Sequence, residues 1–338
     1  MKHITVAIPC YNSQDYMRRG IESAISGGED VEVLIVDDGS SDSTLEIARE
    51  YERKYPTIVK VIHQENAGHG GAVNTGMRYA TGKYFLVVDS DDWLNRKAFR
   101  KLMDFLREAD EKEDIYDLVI CNYVYEKVGV AKKKITAYRG VLPAGRAFTW
   151  EDIGHFNKDQ YILMHSAIFR TDLLRECKLK LPEHVFYVDN LFVFEPLPYV
   201  KRMYYLDINM YRYFIGREDQ SVNEHVMIGR IDQQLFINRL MIDYMAGKNF
   251  GSKKLTYYMT SYLDIITCIS SIMLILTKTD EALAKKKALW DYIKAKDYRL
   301  YKKLMSGILG AGVNLPGKPG RMIAVGIYKF AHKMIGFN

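Results

Sequence analysis

Over the first 125 residues the apolar positions fall in short runs separated by amphipathic stretches. Residues 4–8, 31–36, 58–62, 84–88 and 118–124 are mostly apolar and rich in β-branched side chains, which predicts buried strands. Between them, Met17, Ile21, Ala24 and Ile25 sit at helical spacing, and so do Leu45, Ala48, Tyr51 and Tyr55. Asp42 or Ser43 can cap the second of these helices. Residues 72–80 and 97–109 supply two more. Apolar strands alternating with helices mean a mainly parallel sheet covered on both faces, an α/β fold.

The pattern then changes. Residues 126–225 are irregular and rich in Tyr and Phe, which predicts short strands and loops that complete one domain over 1–225. From 226 to 338 the spacing is helical. Residues 265–276 form an apolar run of twelve, and Asp264 interrupts it on the N-terminal side. A membrane-crossing helix needs about 20 apolar residues, so a buried or interface helix is expected, with a homodimer through these helices as one use.

Composition changes the picture in one place. The chain of 338 residues carries a net charge of +6, but residues 251–338 hold fifteen Lys/Arg against five Asp/Glu. This basic C-terminal region predicts an anionic partner, a membrane or a nucleic acid, or else a solvated basic face. Ile323, Ile327, Phe330, Met334 and Phe337 fall near one helical face, with Arg321, Lys329 and Lys333 mostly off it. That is the pattern of an interfacial basic helix over 319–338, or of a helix docked on its own protein. The four cysteines lie far apart, and the chain opens directly into a strand. A cytoplasmic protein is expected.

The candidate chemistry lies at strand ends. Asp89-Ser90-Asp91-Asp92 follows the fourth strand, and two carboxylates one residue apart can meet one hard divalent cation, Mg²⁺ or Mn²⁺. Asp91 or Asp92 as a helix cap is the alternative. Asp37-Asp38-Gly39-Ser40 follows the second strand, where a carboxylate can accept the imide N–H of uracil or thymine; a turn plus helix cap is the alternative, favoured on this segment alone. Asn66-Ala67-Gly68-His69-Gly70-Gly71 precedes a helix, and such glycine-rich turns let backbone N–H groups approach phosphate or ribose. Val73 stands where a dinucleotide fingerprint needs its third glycine, and no P-loop motif exists.

Together these segments resemble glycosyltransferase family 2 on the GT-A fold. The matching stretches are Val6-Ala7-Ile8-Pro9-Cys10-Tyr11-Asn12, Val36 through Thr44, Asn66-x-Gly68 through Asn74-x-Gly76, and Phe85 through Asp92. The resemblance implies a Rossmann-like nucleotide-sugar half over 1–125 and an acceptor half over 126–225. It implies a nucleotide-sugar site holding Pro9, Tyr11, Asn12, Asp38, Gly68, Asn74, Asp89 and Ser90. Asp38 would bind a pyrimidine, favouring UDP- or dTDP-sugars, and Asp91 with Asp89 would hold Mn²⁺ or Mg²⁺. Inverting transfer needs one general base. Phe186-Tyr187-Val188-Asp189-Asn190 aligns with the family's base segment, with Val188 replacing the usual Glu and Asp189 retained as the base; a helix cap before Leu191–Phe194 is the alternative.

Val73 departs from the Arg that many members carry. Phosphate-facing charge would then come from Arg212 and Arg217, in a segment resembling a late basic loop of some relatives; a surface hairpin with solvated arginines is the alternative. His165 falls in an acceptor-side segment, where a satisfied core histidine is equally expected. The resemblance implies a glycan, lipid-linked or protein-linked acceptor at the inner face of the plasma membrane, and no nucleic-acid partner. The rival readings are a nucleotidyltransferase, which would want a basic glycine-rich loop in place of Pro9-Cys10-Tyr11-Asn12, and a non-catalytic sugar-nucleotide-binding module.

Overall fold

The computed structural model describes residues 2–127, 129–130, 133–157, 160–216, 220 and 223–335, with side chains to Phe330. Two contact-dense units emerge: residues 1–155 with 162–215, and residues 156–161 with 216–338.

The first unit opens with β1 (Ile4–Cys10), α1 (Met17–Ile25), β2 (Val31–Asp38), α2 (Thr44–Lys54), β3 (Val59–Gln64), α3 (Gly68–Tyr79) and β4 (Tyr84–Val87). Short β5 (Trp93–Leu94) precedes α4 (Arg96–Glu111), and β6 (Leu118–Lys127), β7 (Lys134–Thr136), β8 (Ala147–Phe148) and β9 (Ala167–Arg170) follow. Two short helices, α5 (Thr171–Glu176) and α6 (Asp189–Phe194), lead to the long strand β10 (Met203–Ile215). The strands form one ten-stranded sheet in the order β3-β2-β1-β4-β9-β6-β10-β5, with β7 on β6 and β8 on β10. The long ladders β1–β2, β2–β3, β1–β4 and β6–β10 are parallel. Short antiparallel pairings add β9 between β4 and β6, and β5 beside β10.

Both faces of the parallel half are buried because the strands are apolar at successive positions. Ile4, Val6 and Ile8 point to a core shared with Met17, Ile21, Phe99 and Leu102. On the other face, Leu34 and Val36 pack with Ala72 of α3. Helix α4 buries Ala98, Phe99, Leu102, Met103, Leu106 and Ala109, the stripe its spacing requires, and Asn95 caps it by accepting from the Ala98 N–H at 3.0 Å. Neither Asp91 nor Asp92 caps this helix, so the capping alternative for that cluster is overturned.

The second unit comprises α7 (Glu224–Gly229), α8 (Ile231–Met245), α9 (Lys253–Thr277), α10 (Asp280–Lys296), α11 (Tyr298–Met305), α12 (Ile308–Val313) and α13 (Gly317–Ile335). Helix α9 runs straight through Asp264, so the helix extends well beyond the apolar run of twelve. By length and composition it could cross a membrane, yet 78% of its most apolar 18-residue window is buried. It is the central helix of this unit, touching every other helix there. Small polar groups tie it to its neighbours: Asn238 donates to Thr267 Oγ1 at 3.1 Å, and Trp290 Nε1 to Ser271 Oγ at 3.1 Å.

Candidate active site

The strand order reverses beside β1, which has β2 on one side and β4 on the other. Chain segments leaving β1 and β4 therefore diverge and open a crevice at their carboxyl ends, where α/β sheets place ligands. Hydrogen bonds stitch the rim. Asn12, held at φ 48°, accepts from the Ser41 N–H at 2.9 Å, and its own N–H donates to Ser40 Oγ. Ser13 Oγ donates to Ser90 Oγ at 2.8 Å, joining the segments after β1 and β4 across the crevice. Tyr11 is exposed at this rim, whereas Pro9 is buried within β1 opposite Val36.

Asp38 ends β2 and is buried. Its Oδ1 accepts from Gln64 Nε2 at 2.7 Å and from the Ala67 N–H at 2.9 Å. Among the described residues, Oδ2 carries no hydrogen bond and can still accept one.

The glycine-rich stretch differs from its sequence reading. It is the first turn of α3 rather than a turn before the helix. Gly68 adopts φ +74°, and a Cβ there would sit 2.9 Å from the His184 N; one on Gly70 would sit 2.2 Å from the Pro182 O. These glycines admit the backbone of 182–184, a close approach between chain segments that only glycine permits. Asn74 serves the same seam, donating to the Leu181 carbonyl at 2.8 Å and accepting from its N–H at 2.9 Å. Its amide is thus engaged with protein backbone.

The acidic cluster is the centre of the site. Asp92 is buried, with Oδ2 accepting from the Tyr211 hydroxyl at 2.7 Å and Oδ1 from the Phe214 N–H at 2.6 Å. The Asp89 N–H donates back to Tyr211 Oη at 3.1 Å. Asp89 presents each carboxylate oxygen to an imidazole: His69 Nε2 lies 2.8 Å from Oδ1, and His165 Nε2 lies 3.7 Å from Oδ2. Burial pushes the Asp89 carboxyl up, but the two histidines outweigh it and hold the group well below the usual carboxylate range. Burial, then the charges of Asp91 and Asp89, push Asp92 up. Asp91 lies part-exposed on the same loop.

Among the described residues, Asp89, Asp92 and His165 bring ligating atoms within 4.8 Å of one another. His165 is 5% exposed, and neither ring nitrogen has a hydrogen-bond partner. The satisfied core histidine is therefore not what the fold contains. Two carboxylates beside an orphaned buried imidazole fit a divalent cation.

Asp189 is the first residue of α6, directly after Val188 and two positions after Tyr187, which is held at φ 67°. Burial raises its carboxyl above the ordinary range, the charges of His165 and His69 pull it down, and Asp89 pushes it up again. Helix α6 packs against the 164–166 turn that carries His165, so Asp189 stands within electrostatic range of the acidic cluster. Arg212 lies within β10 and donates to Glu126 Oε1 at 2.9 Å with little exposure, so it is neither solvated nor part of a hairpin. Arg217 lies outside the described residues.

Sequence reading missed His69 and Tyr211. No local pattern marks His69. Tyr211 and Tyr213 do stand two apart, the period that puts both on one strand face.

Residues 5–171 match the model of glycosyl transferase family 2. The chain is 29% identical over 225 residues to the uncharacterized glycosyltransferase YibD of Escherichia coli K12, covering 64% of this chain and 63% of that protein. It is 31% identical over 187 residues to the poly(ribitol-phosphate) beta-glucosyltransferase of Bacillus spizizenii W23, covering 54% of this chain and 27% of that protein. The chain thus spans less than two thirds of the length of these curated relatives. Among solved structures, Staphylococcus aureus TarS 1–349 in complex with UDP-GlcNAc superposes with a TM-score of 0.68 at 22% identity, covering 99% of this chain and 92% of that one. That likeness establishes the GT-A fold.

Proposed function

Residues 5–171 belong to glycosyl transferase family 2, and from that we propose that the chain is an inverting, metal-dependent glycosyltransferase. It moves a sugar from a UDP- or dTDP-sugar to a hydroxyl of a cell-surface glycan or lipid-linked acceptor. The observation that carries this reading is the convergence of Asp89, Asp92, His165 and Asp189 at the crevice beside β1, with Asp38 on the same rim. The poly(ribitol-phosphate) acceptor in one relative's name and the UDP-GlcNAc in the TarS structure support the substrate classes.

In this reading residues 1–125 bind the donor. The Oδ2 of Asp38 accepts the imide N–H of the base, and Tyr11 borders it. Asp89, with Asp91, would hold a divalent cation, which when bound supplies positive charge against the leaving diphosphate. Asp189 takes the proton of the acceptor hydroxyl as its oxygen attacks the anomeric carbon opposite the leaving group. Asp189 is part-buried beside Tyr187, and that partial desolvation strengthens its pull on the proton.

The second unit completes the assignment. Met322, Ile323, Ile327 and Phe330 are exposed on α13, in a region of net positive charge. An exposed apolar face in a basic setting matches an anionic lipid surface, which would place the enzyme at the cytoplasmic face of a membrane.

The test is nucleotide-sugar hydrolysis with UDP-, dTDP- and GDP-sugars, each with Mn²⁺ or Mg²⁺. Metal-stimulated release of UDP or dTDP is expected, and Asp91→Ala should abolish it while the fold persists. Metal-independent release, or wild-type turnover by Asp91→Ala, would overturn the assignment.

A further inference from the structure

We propose that His165 is a direct ligand of the cation beside Asp89, and that its nitrogen makes the site prefer Mn²⁺ over Mg²⁺. This rests on the metal-dependent reading of the site. It adds a ligand that the spacing of Asp89 and Asp91 does not contain, from a chain segment more than seventy residues away.

The imidazole is buried, and among the described residues both of its nitrogens lack hydrogen-bond partners. Leaving a buried polar group unsatisfied is costly, so two such nitrogens in one ring call for an occupant. The ring cannot reach the carboxylates by itself. Its Nε2 stands 3.7 Å from Asp89 Oδ2 and 3.8 Å from Asp92 Oδ2, beyond hydrogen-bond range. Three aromatic rings fix it there. Tyr213 stacks on it with centroids 4.2 Å apart, Tyr211 meets it edge-on at 4.7 Å, and Tyr123 lies at 5.8 Å.

The separation suits a shared ion instead. Two atoms bound to one ion at about 2.0–2.2 Å stand at most about 4.4 Å apart. The orientation agrees as well. His69 occupies Asp89 Oδ1, which turns Oδ2 toward His165. Asp92 already accepts from Phe214 and Tyr211 and backs the pocket.

Metal preference follows from the donor set. Mg²⁺ takes oxygen ligands and sheds water reluctantly. Imidazole suits first-row transition ions. One nitrogen in place of a water or carboxylate therefore weakens Mg²⁺ relative to Mn²⁺.

The experiment titrates the whole chain, saturated with UDP, with Mn²⁺. Loss of the free-ion EPR signal reports binding, Mg²⁺ competes, and pulsed EPR detects directly bound ¹⁴N. The expected result is a nitrogen coupling in the wild type that persists in His69→Gln and vanishes in His165→Gln. In His165→Gln, Mn²⁺ affinity should also fall at least about tenfold, with the preference over Mg²⁺ shrinking. Mn²⁺ bound without nitrogen coupling, as when water fills the gap, overturns the proposal and leaves metal dependence standing. So does a coupling lost in His69→Gln instead. No Mn²⁺ uptake by the wild type overturns the metal-dependent reading and the proposal with it. Where one variant fails to fold, the other still decides which histidine supplies the nitrogen.

Discussion

The Tyr211 hydroxyl donates to Asp92 Oδ2 at 2.7 Å, joining β10 to the segment after β4. The same oxygen accepts the Asp89 N–H, so one phenol orients two members of the acidic cluster. Tyr211→Phe leaves a buried carboxylate and a backbone N–H short of a partner. A loss of about 1–3 kcal/mol in unfolding free energy is expected, measurable by urea denaturation. Unchanged stability with unchanged nucleotide binding would show that Tyr211 does not hold the cluster.

Asp189→Asn keeps the size of the side chain and removes its basicity. Transfer should fall by ~10²–10⁴ while UDP affinity, read by calorimetry, stays near wild type. A variant that transfers at the wild-type rate would reduce Asp189 to the opening residue of α6.

The titration of Asp189 carries its own expectation. Burial raises this carboxyl. A base must be ionised to act, so the rate declines as pH falls through its raised value and is full above it. The acid limb of the kcat/KM profile should have its midpoint above about 3.9, the ordinary aspartate value. In Asp189→Asn that limb should disappear. A midpoint below the ordinary value would contradict the burial argument.

Asp38 has one oxygen committed to the 64–67 segment and one still able to accept. UDP and dTDP should bind at least about tenfold more tightly than GDP, a difference of about 1.4 kcal/mol. That is the scale of one hydrogen bond to a charged group. Tighter GDP binding would remove Asp38 from base selection.

On α13, Ile327→Glu sets a charge on the exposed apolar face. Co-sedimentation with vesicles rich in phosphatidylglycerol should weaken by more than about tenfold, since burying such a side chain is worth about 1.5–3 kcal/mol. Lys329→Gln should weaken it by about fivefold, or ~1 kcal/mol. Equal binding of wild type to neutral and anionic vesicles would argue for a protein partner on this face.

The first half of the sheet was readable because its signals are local. Each strand from β1 to β4 is an apolar run, and each helix between them carries its own stripe. Strand β9 could not be placed that way. It has four residues, and its position between β4 and β6 depends on pairings with Tyr84 and Phe85 more than eighty residues earlier. The site divides along the same line. Asp38, Asp89 and Asp189 stand in segments that carry a family resemblance. The contacts of His69, His165 and Tyr211 exist only once distant strands are brought together. The glycines of α3 show a related limit: sequence shows that a close approach is permitted, and only the fold shows residues 182–184 lying against them.

That seam reaches further than packing. Gly68, Gly70 and Asn74 lock the start of α3 to residues 181–184, and Asp189 follows five residues later. The position of the proposed base is thereby referenced to a helix rooted in the donor-side sheet, as a gauge is set against a fixed datum. Any side chain at Gly70 would collide with the Pro182 carbonyl, so α3 and the 181–184 segment keep one fixed separation.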